Sequence, residues 1–167
     1  MLMETAVEPN HQSCKISSKD GVMIPMWTGW LDADNPDHKN ASYQELKKGV
    51  RQEVNSGAVT SLVKVDGVPV AKLDEVSSTA ANGSLVYKIN SIDNVTEIAS
   101  KEFNITIPED THFPDNPPGT FPAAAHGWYV FVKPLAAGNH TIDYNVDVRG
   151  EGINPTSSEI KYSLQVD

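Results

Sequence analysis

One cysteine, Cys14, stands in 167 residues, so no internal disulfide can form and a paired-cysteine metal knuckle is excluded. The five histidines, at positions 11, 38, 112, 126 and 140, form no H-x-H, H-E-x-x-H or H-x3-H pair that would put two imidazoles on one metal. No stretch approaches the roughly 18 apolar residues of a membrane helix, so no helical span is expected. Basic residues are few: 13 Lys and Arg against 22 Asp and Glu, a net charge of −9. The densest basic group is Lys47, Lys48 and Arg51, and an acidic surface repels a phosphate backbone, so nucleic-acid binding is not expected. A nucleophile elbow, a phosphate loop and a dinucleotide fingerprint are all missing. A Ser-His-Asp triad leaves no local mark, because its members are distant in the chain, and it stays open. The start, Met1 to Thr5, has neither the basic nor the apolar region of a signal peptide.

Leucine is also scarce. Valine and isoleucine number 17 and 10 against 8 leucines, and β-branched side chains suit a pleated surface better than a helix. The periodicities agree. His140, Ile142, Tyr144, Val146 and Val148 alternate with polar residues, as do Ile160, Tyr162, Leu164 and Val166, each run having one face in a core and one in water. Trp128–Val132 is apolar on both sides, as in a covered central strand. Asp66-Gly67 between Ala58–Val65 and Val68–Leu73 suits a type I′ hairpin, whose two central residues need positive φ. Gly21–Trp30 holds a short strand in which Pro25 argues for an edge or bulge. Ser84–Asn90, Glu102–Ile107 and a weaker stretch near Val95 are further strand candidates. Residues 108–126, with five prolines, read as a long irregular crossing. One helix is expected near residues 43–55: Ser42 and Glu45 make a capping box, Leu46, Val50 and Val54 form one apolar face, and Gly57 ends it. The sum is a mainly β chain, an antiparallel β-sandwich of Ig-like or jelly-roll type with one α-helix. Residues 1–13 read as a loose N-terminal arm and 14–167 as a single domain.

Sequons N-x-[ST] occur at Asn40, Asn82, Asn94, Asn104 and Asn139, where composition alone gives about two. They point to a glycosylated, exterior protein, with the missing leader placed upstream of Met1 or already removed. Candidate chemistry is thin. Glu109, Asp110, His112 and Asp115, with His126 across the Pro-rich loop, form the best cluster for a divalent cation or for acid/base work. The ordinary alternative is a solvated acidic loop, and no cofactor is expected. Asp32, Asp34 and Asp37 suggest a calcium loop, but Pro36, Asp37 and Tyr43 stand where an EF-hand needs an oxygen ligand, Gly and Glu. His140 reads as a core or turn histidine bonded to backbone. Trp27, Trp30 and Tyr43 can stack on a sugar, although core packing explains them better.

The segment Ala125-His-Gly-Trp-Tyr-Val-Phe-Val-Lys-Pro-Leu-Ala-Ala-Gly-Asn-His-Thr-Ile142 resembles a stretch in a group of uncharacterised microbial exported proteins. Those carry a pattern close to D-G-Y-W-V-x-L-x-P-L-x-P-G-x-H-T-I and end on a strand like V-T-Y-x-L-x-V, here Ile160 to Val166. Val65-Asp-Gly-Val-Pro-Val70 is similar to their V-D-G-x-x-V hairpin, and Cys14-Lys-Ile16 with Gly21-Val-Met-Ile-Pro25 to their C-x-[VI]-P-x-G-K-x-[IL]-x-x-P segment. Ser17 replaces the usual proline, His126 stands where the group tends to have Asp, and a Trp-rich N-terminal section with a second cysteine has no counterpart here. The resemblance implies export and a β-sandwich, and brings neither catalytic residues nor a ligand. The expected function is therefore a non-enzymatic exported or cell-surface module, structural or binding, with a cell-surface protein or glycan as partner. A metal- or carboxylate-dependent cell-envelope hydrolase using the 109–126 loop is one alternative. A strand-exchanging assembly subunit is another.

Overall fold

The computed structural model describes residues 11–33, 38–55, 58–73, 95–109, 118–150 and 153–167. Among these residues, nine strands and one helix follow in the order β1 (His11–Ile16), β2 (Val22–Asp32), α1 (Tyr43–Val54), β3 (Ala58–Val65), β4 (Val68–Leu73), β5 (Val95–Ala99), β6 (Phe103–Ile107), β7 (Gly119–Val132), β8 (Gly138–Gly150) and β9 (Ile153–Val166). One sheet has the order β1-β9-β8-β3-β4, and the other β2-β7-β5 with β6 also paired to β7. Read along the chain, β9-β8-β3-β4 and β2-β7-β5 reproduce the G-F-C-C′ and B-E-D orders of an Ig-like sandwich, which decides between the two expected topologies. One pairing departs from the antiparallel expectation: β1 runs parallel to β9, His11 opposite Lys161 and Ile16 opposite Val166.

The chain divides into two compact units. The first comprises 1–27, 55–96 and 128–167, and the second 28–54 and 97–127. The first unit holds the whole five-stranded sheet. Its core is the set of alternate side chains that the sequence pattern singles out. Ile142, Tyr144, Val148, Ile160, Tyr162, Leu164 and Val166 are buried together with Val59, Val63, Ala71 and Leu73. Val22, Ile24 and Met26 of β2 and Trp128, Val130 and Val132 of β7 supply the opposing apolar row. Two polar groups inside it are satisfied: the Tyr144 hydroxyl donates to the Met26 carbonyl (2.5 Å), and the Trp128 indole donates to Asn55 Oδ1 (3.1 Å). Burial pushes the Tyr144 phenol far above its ordinary pKa, so it stays a donor.

The β3–β4 hairpin turns where Asp-Gly dictates, with φ of 51° at Asp66 and 78° at Gly67. Pro25 lies in β2, at the edge of its sheet, where a missing N–H is tolerated. In the second unit, α1 buries Leu46, Val50 and Val54. Its first turn is closed by the expected box: Ser42 N–H donates to Glu45 Oε2 (2.7 Å) and Glu45 N–H reaches back to Ser42 Oγ (3.4 Å). The hydroxyl of Ser42 also donates to Glu45 Oε2, and these bonds lower the Glu45 pKa.

Three expectations are corrected. Residues 119–126 are not irregular: β7 begins at Gly119, and Pro122 sits inside it opposite Asn104 of β6. Proline keeps a carbonyl, and that of Pro122 accepts from Ala33 N–H (3.1 Å), so the strand survives the missing donor. His11–Ser13 belong to β1 rather than to a loose arm. Trp30 is not core but 54% exposed. A Cβ on Gly29 would point at Val54 and Val50, and Leu31 lies 2.9 Å from the Cβ position of Gly49. Gly29 and Leu31 thus face the helix, and alternation turns the intervening Trp30 away from it. The strand expected at Ser84–Asn90 lies outside the described residues.

Candidate functional sites

Two places gather polar side chains with geometry beyond that of a solvated surface. The first lies in the second unit. From α1, Lys47 and Arg51 are one turn apart and share a face. From β5 comes Glu97, and from β7 comes His126, only 3% exposed. Arg51 holds Glu97 through two bonds, Nε to Oε1 at 3.0 Å and Nη2 to Oε2 at 3.2 Å. His126 Nε2 lies 2.9 Å from the same Oε1 but is not aligned as a hydrogen bond. Neither ring nitrogen has a hydrogen-bond partner among the described residues. Lys47, Arg51, Glu97, Ala99 and His126 line a cavity of about 160 Å³. Burial lowers the His126 pKa, Glu97 partly opposes this, and the cations Arg51 and Lys47 reinforce it, so the ring is neutral at pH 7. β5 is tied to β7 beside it, Ser100 N–H donating to the Ala125 carbonyl and Ala125 N–H to Ser100 Oγ, while Tyr43 Oη donates to the Ser100 carbonyl.

The second place is the outer face of the five-stranded sheet. Parallel and antiparallel registers align Ser13, Ser163 and Thr141 in one row and Lys15, Gln165 and Asn139 in the next. These residues, with Cys14, His140 and Leu164, line an open groove of about 560 Å³. The groove ends on a clamp. Asp66 accepts the Thr141 N–H at Oδ1 (2.8 Å) and faces His140 Nδ1 at Oδ2 (2.7 Å), while His140 Nε2 lies 2.9 Å from the Ala136 carbonyl. Both partners of the ring are acceptors, so both nitrogens donate and the imidazolium is the bound form. The bond to Asp66 raises the His140 pKa, and the same bond lowers that of Asp66. With both nitrogens engaged, His140 is a fastener and not a base. Its expected tie to backbone is present, but the carboxylate is a partner that the sequence pattern did not announce.

Of the cation cluster, Glu109 is exposed, and His126 is buried against Glu97. Asp110, His112 and Asp115 lie outside the described residues. Among the described residues no group of three or more His, Cys, Asp or Glu is placed to hold a metal ion. Asp32 is buried at the end of β2, and Asp34 and Asp37 lie outside the described residues. Asn40, Asn104 and Asn139 are exposed, whereas Asn82 and Asn94 are not described. Cys14 is a half-buried free thiol. No described helix is long and apolar enough to cross a membrane. Glu97 was missed as a site residue because nothing in its local sequence marks it; only β5–β7 pairing brings it to His126.

No protein-family model matches the chain, and no curated protein does. Among solved structures, a family 123 glycoside hydrolase from Clostridium perfringens, described for glycolipid glycan hydrolysis, matches at 12% identity with a TM-score of 0.29. The match covers 95% of this chain and 23% of the hydrolase. A likeness of that size transfers nothing about activity.

Proposed function

We propose that the protein is an exported or cell-surface Ig-like module that works by binding a surface partner, through the outer face of β1, β9 and β8. The observation that carries this reading is the groove of about 560 Å³, bounded by short hydroxyl and amide side chains from three strands in fixed register. Ser13, Ser163, Thr141, Asn139 and Gln165 donate and accept, which suits the hydroxyls of a glycan or the amides of a protein surface. A rigid sheet places them with little ordering cost on binding. Export is supported by the exposure of Asn40, Asn104 and Asn139, which a glycan requires. Asn40 stands at a φ of 68°, a conformation that asparagine tolerates.

The test is binding of the labelled protein to the envelope of the cells that make it. The native protein is expected to bind saturably, and Ser163→Arg, which fills the groove from an outward-facing position, is expected to lose it. Equal binding by both proteins, or none by either, removes the reading.

A further inference from the structure

We propose that the His140 proton works a pH-dependent latch at the rim of the groove: with the proton, the connection between β7 and β8 (residues 133–137) is fastened to β8, and without it the connection is released. The bearing of this latch on a bound partner rests on the groove reading above, whereas the latch itself does not. Three backbone segments meet in one chain of bonds. The β3–β4 turn joins the start of β8 through Asp66, whose N–H donates to the Thr141 carbonyl (2.9 Å) and whose Oδ1 accepts the Thr141 N–H (2.8 Å). Asp66 Oδ2 then accepts from His140 Nδ1 (2.7 Å), and the Ala136 carbonyl accepts from Nε2 (2.9 Å), which carries the chain to the segment before β8.

A ring that serves two acceptors needs two N–H groups, and only the imidazolium has them. After losing one proton it keeps a single N–H for a carboxylate and a carbonyl. The carboxylate is charged, makes the stronger bond and is held in place by Thr141, so the N–H stays on Nδ1. The Nε2 lone pair then faces the Ala136 oxygen across 2.9 Å, and the carbonyl turns away to water. The segment has little other restraint. Ala136 and Ala137 are exposed and precede the β8–β9 pairing, which begins at Gly138. Gly138 itself stands at a φ of 144°, a value that favours glycine and suits a pivot. Asn139 and His140 follow directly and line the groove, so release moves one of its walls. Asp66 is the charged group facing the ring from the β3–β4 turn. From β9 come Leu164 opposite, with Ser163 and Gln165 on either side, and from β1 Cys14 and Lys15 line the same groove. The bond to Asp66 raises the His140 pKa, so release falls above 6.5.

The experiment is NMR of the protein alone, with pH raised from below 6.5 through the His140 midpoint. The Ala136 carbonyl signal is expected to titrate with the ring, and the backbone order parameters of Ala136–Gly138 to fall from about 0.85 to below about 0.6. Those of the β3–β4 turn stay high. In Asp66→Asn, where the ring midpoint drops toward 6.5, the release is expected to move down with it. His140→Ala is expected to leave the connection loose at every pH. A connection equally rigid on both sides of the ring midpoint overturns the proposal. So does a release that fails to follow the ring in Asp66→Asn, or a connection in His140→Ala as rigid as that of the acidic native protein. No partner is present in these measurements, so a failed latch leaves the groove reading intact, and absent envelope binding leaves the latch intact.

Discussion

At the scale of single residues, two histidines divide the pH axis between them. His140 has a pKa above its ordinary 6.5, so its contribution to stability is complete below 6.5 and is lost as pH rises through the raised value. Asp66, lowered from 3.8, contributes above 3.8 and loses its share as pH falls through the lowered value. The clamp is therefore at full strength between those two ordinary values. His126 leans the other way: its neutral form is favoured, so its contribution stands above 6.5 and fades as pH falls through the depressed value. Ring NMR is expected to place the His140 midpoint above 6.5 and the His126 midpoint below it. In Asp66→Asn, which keeps a residue tolerant of the turn's positive φ, His140 returns toward 6.5 while His126 does not move. A native His140 with the midpoint of a free imidazole would mean that the clamp is not formed in solution. Sequence pattern gave His140 as a core or turn histidine but could not supply Asp66 as its partner, because the two meet only when β3 and β8 pair. For the same reason Glu97 went unnoticed.

At the scale of elements, the helix was legible because its signals are local: a capping box, a face of period 3.6 and a closing glycine all fall within 16 residues, Ser42 to Gly57. Ser42→Ala is expected to cost about 1 kcal/mol in urea unfolding, through the lost cap. Gly29→Ala tests how α1 sits on β2. Its new Cβ would come 2.9 Å from Val54 Cγ2, a methyl on a stiff β-branched side chain, so a loss of about 1–3 kcal/mol is expected. Wild-type stability in that variant would show that the helix stands off the strand. The β3–β4 turn was legible too, since few dipeptides other than Asp-Gly accept two positive φ values in succession. The first half of β7 was hidden, because the prolines that precede it, with Pro122 inside it, mimic a loop. Pairing with β6 and the bond from Ala33 N–H show that Pro122 belongs to a strand and accepts there without needing to donate.

On the scale of the whole molecule, composition and alternation pointed to a β-sandwich, and strand order then selected the Ig-like form. The binding face was not legible, because residues outside the core carry no period of their own and acquire meaning only from register. Asn139 lies at the margin of the groove as well as in a sequon. A glycan there would cover part of the proposed contact surface. Protein secreted from a glycosylating host is expected to lose mass on enzymatic deglycosylation and to bind its partner more tightly afterwards. Asn139→Gln should reproduce that gain without treatment. Unchanged mass would leave the five sequons as a by-product of an Asn- and Ser-rich composition.

The parallel seam between β1 and β9 has a kinetic side. His11 and Ser163, joined by a hydrogen bond, are separated by 152 positions in the chain. Closing so long a span is slow compared with zipping neighbouring hairpins. On the ribosome, β1 emerges well before β9 and must wait for the intervening strands to be synthesised before its mate exists. During that delay the unmated ribbon is open to chaperones or to another nascent copy, so crowding at the polysome, more than the stability of the finished sandwich, would set the yield of correctly closed protein.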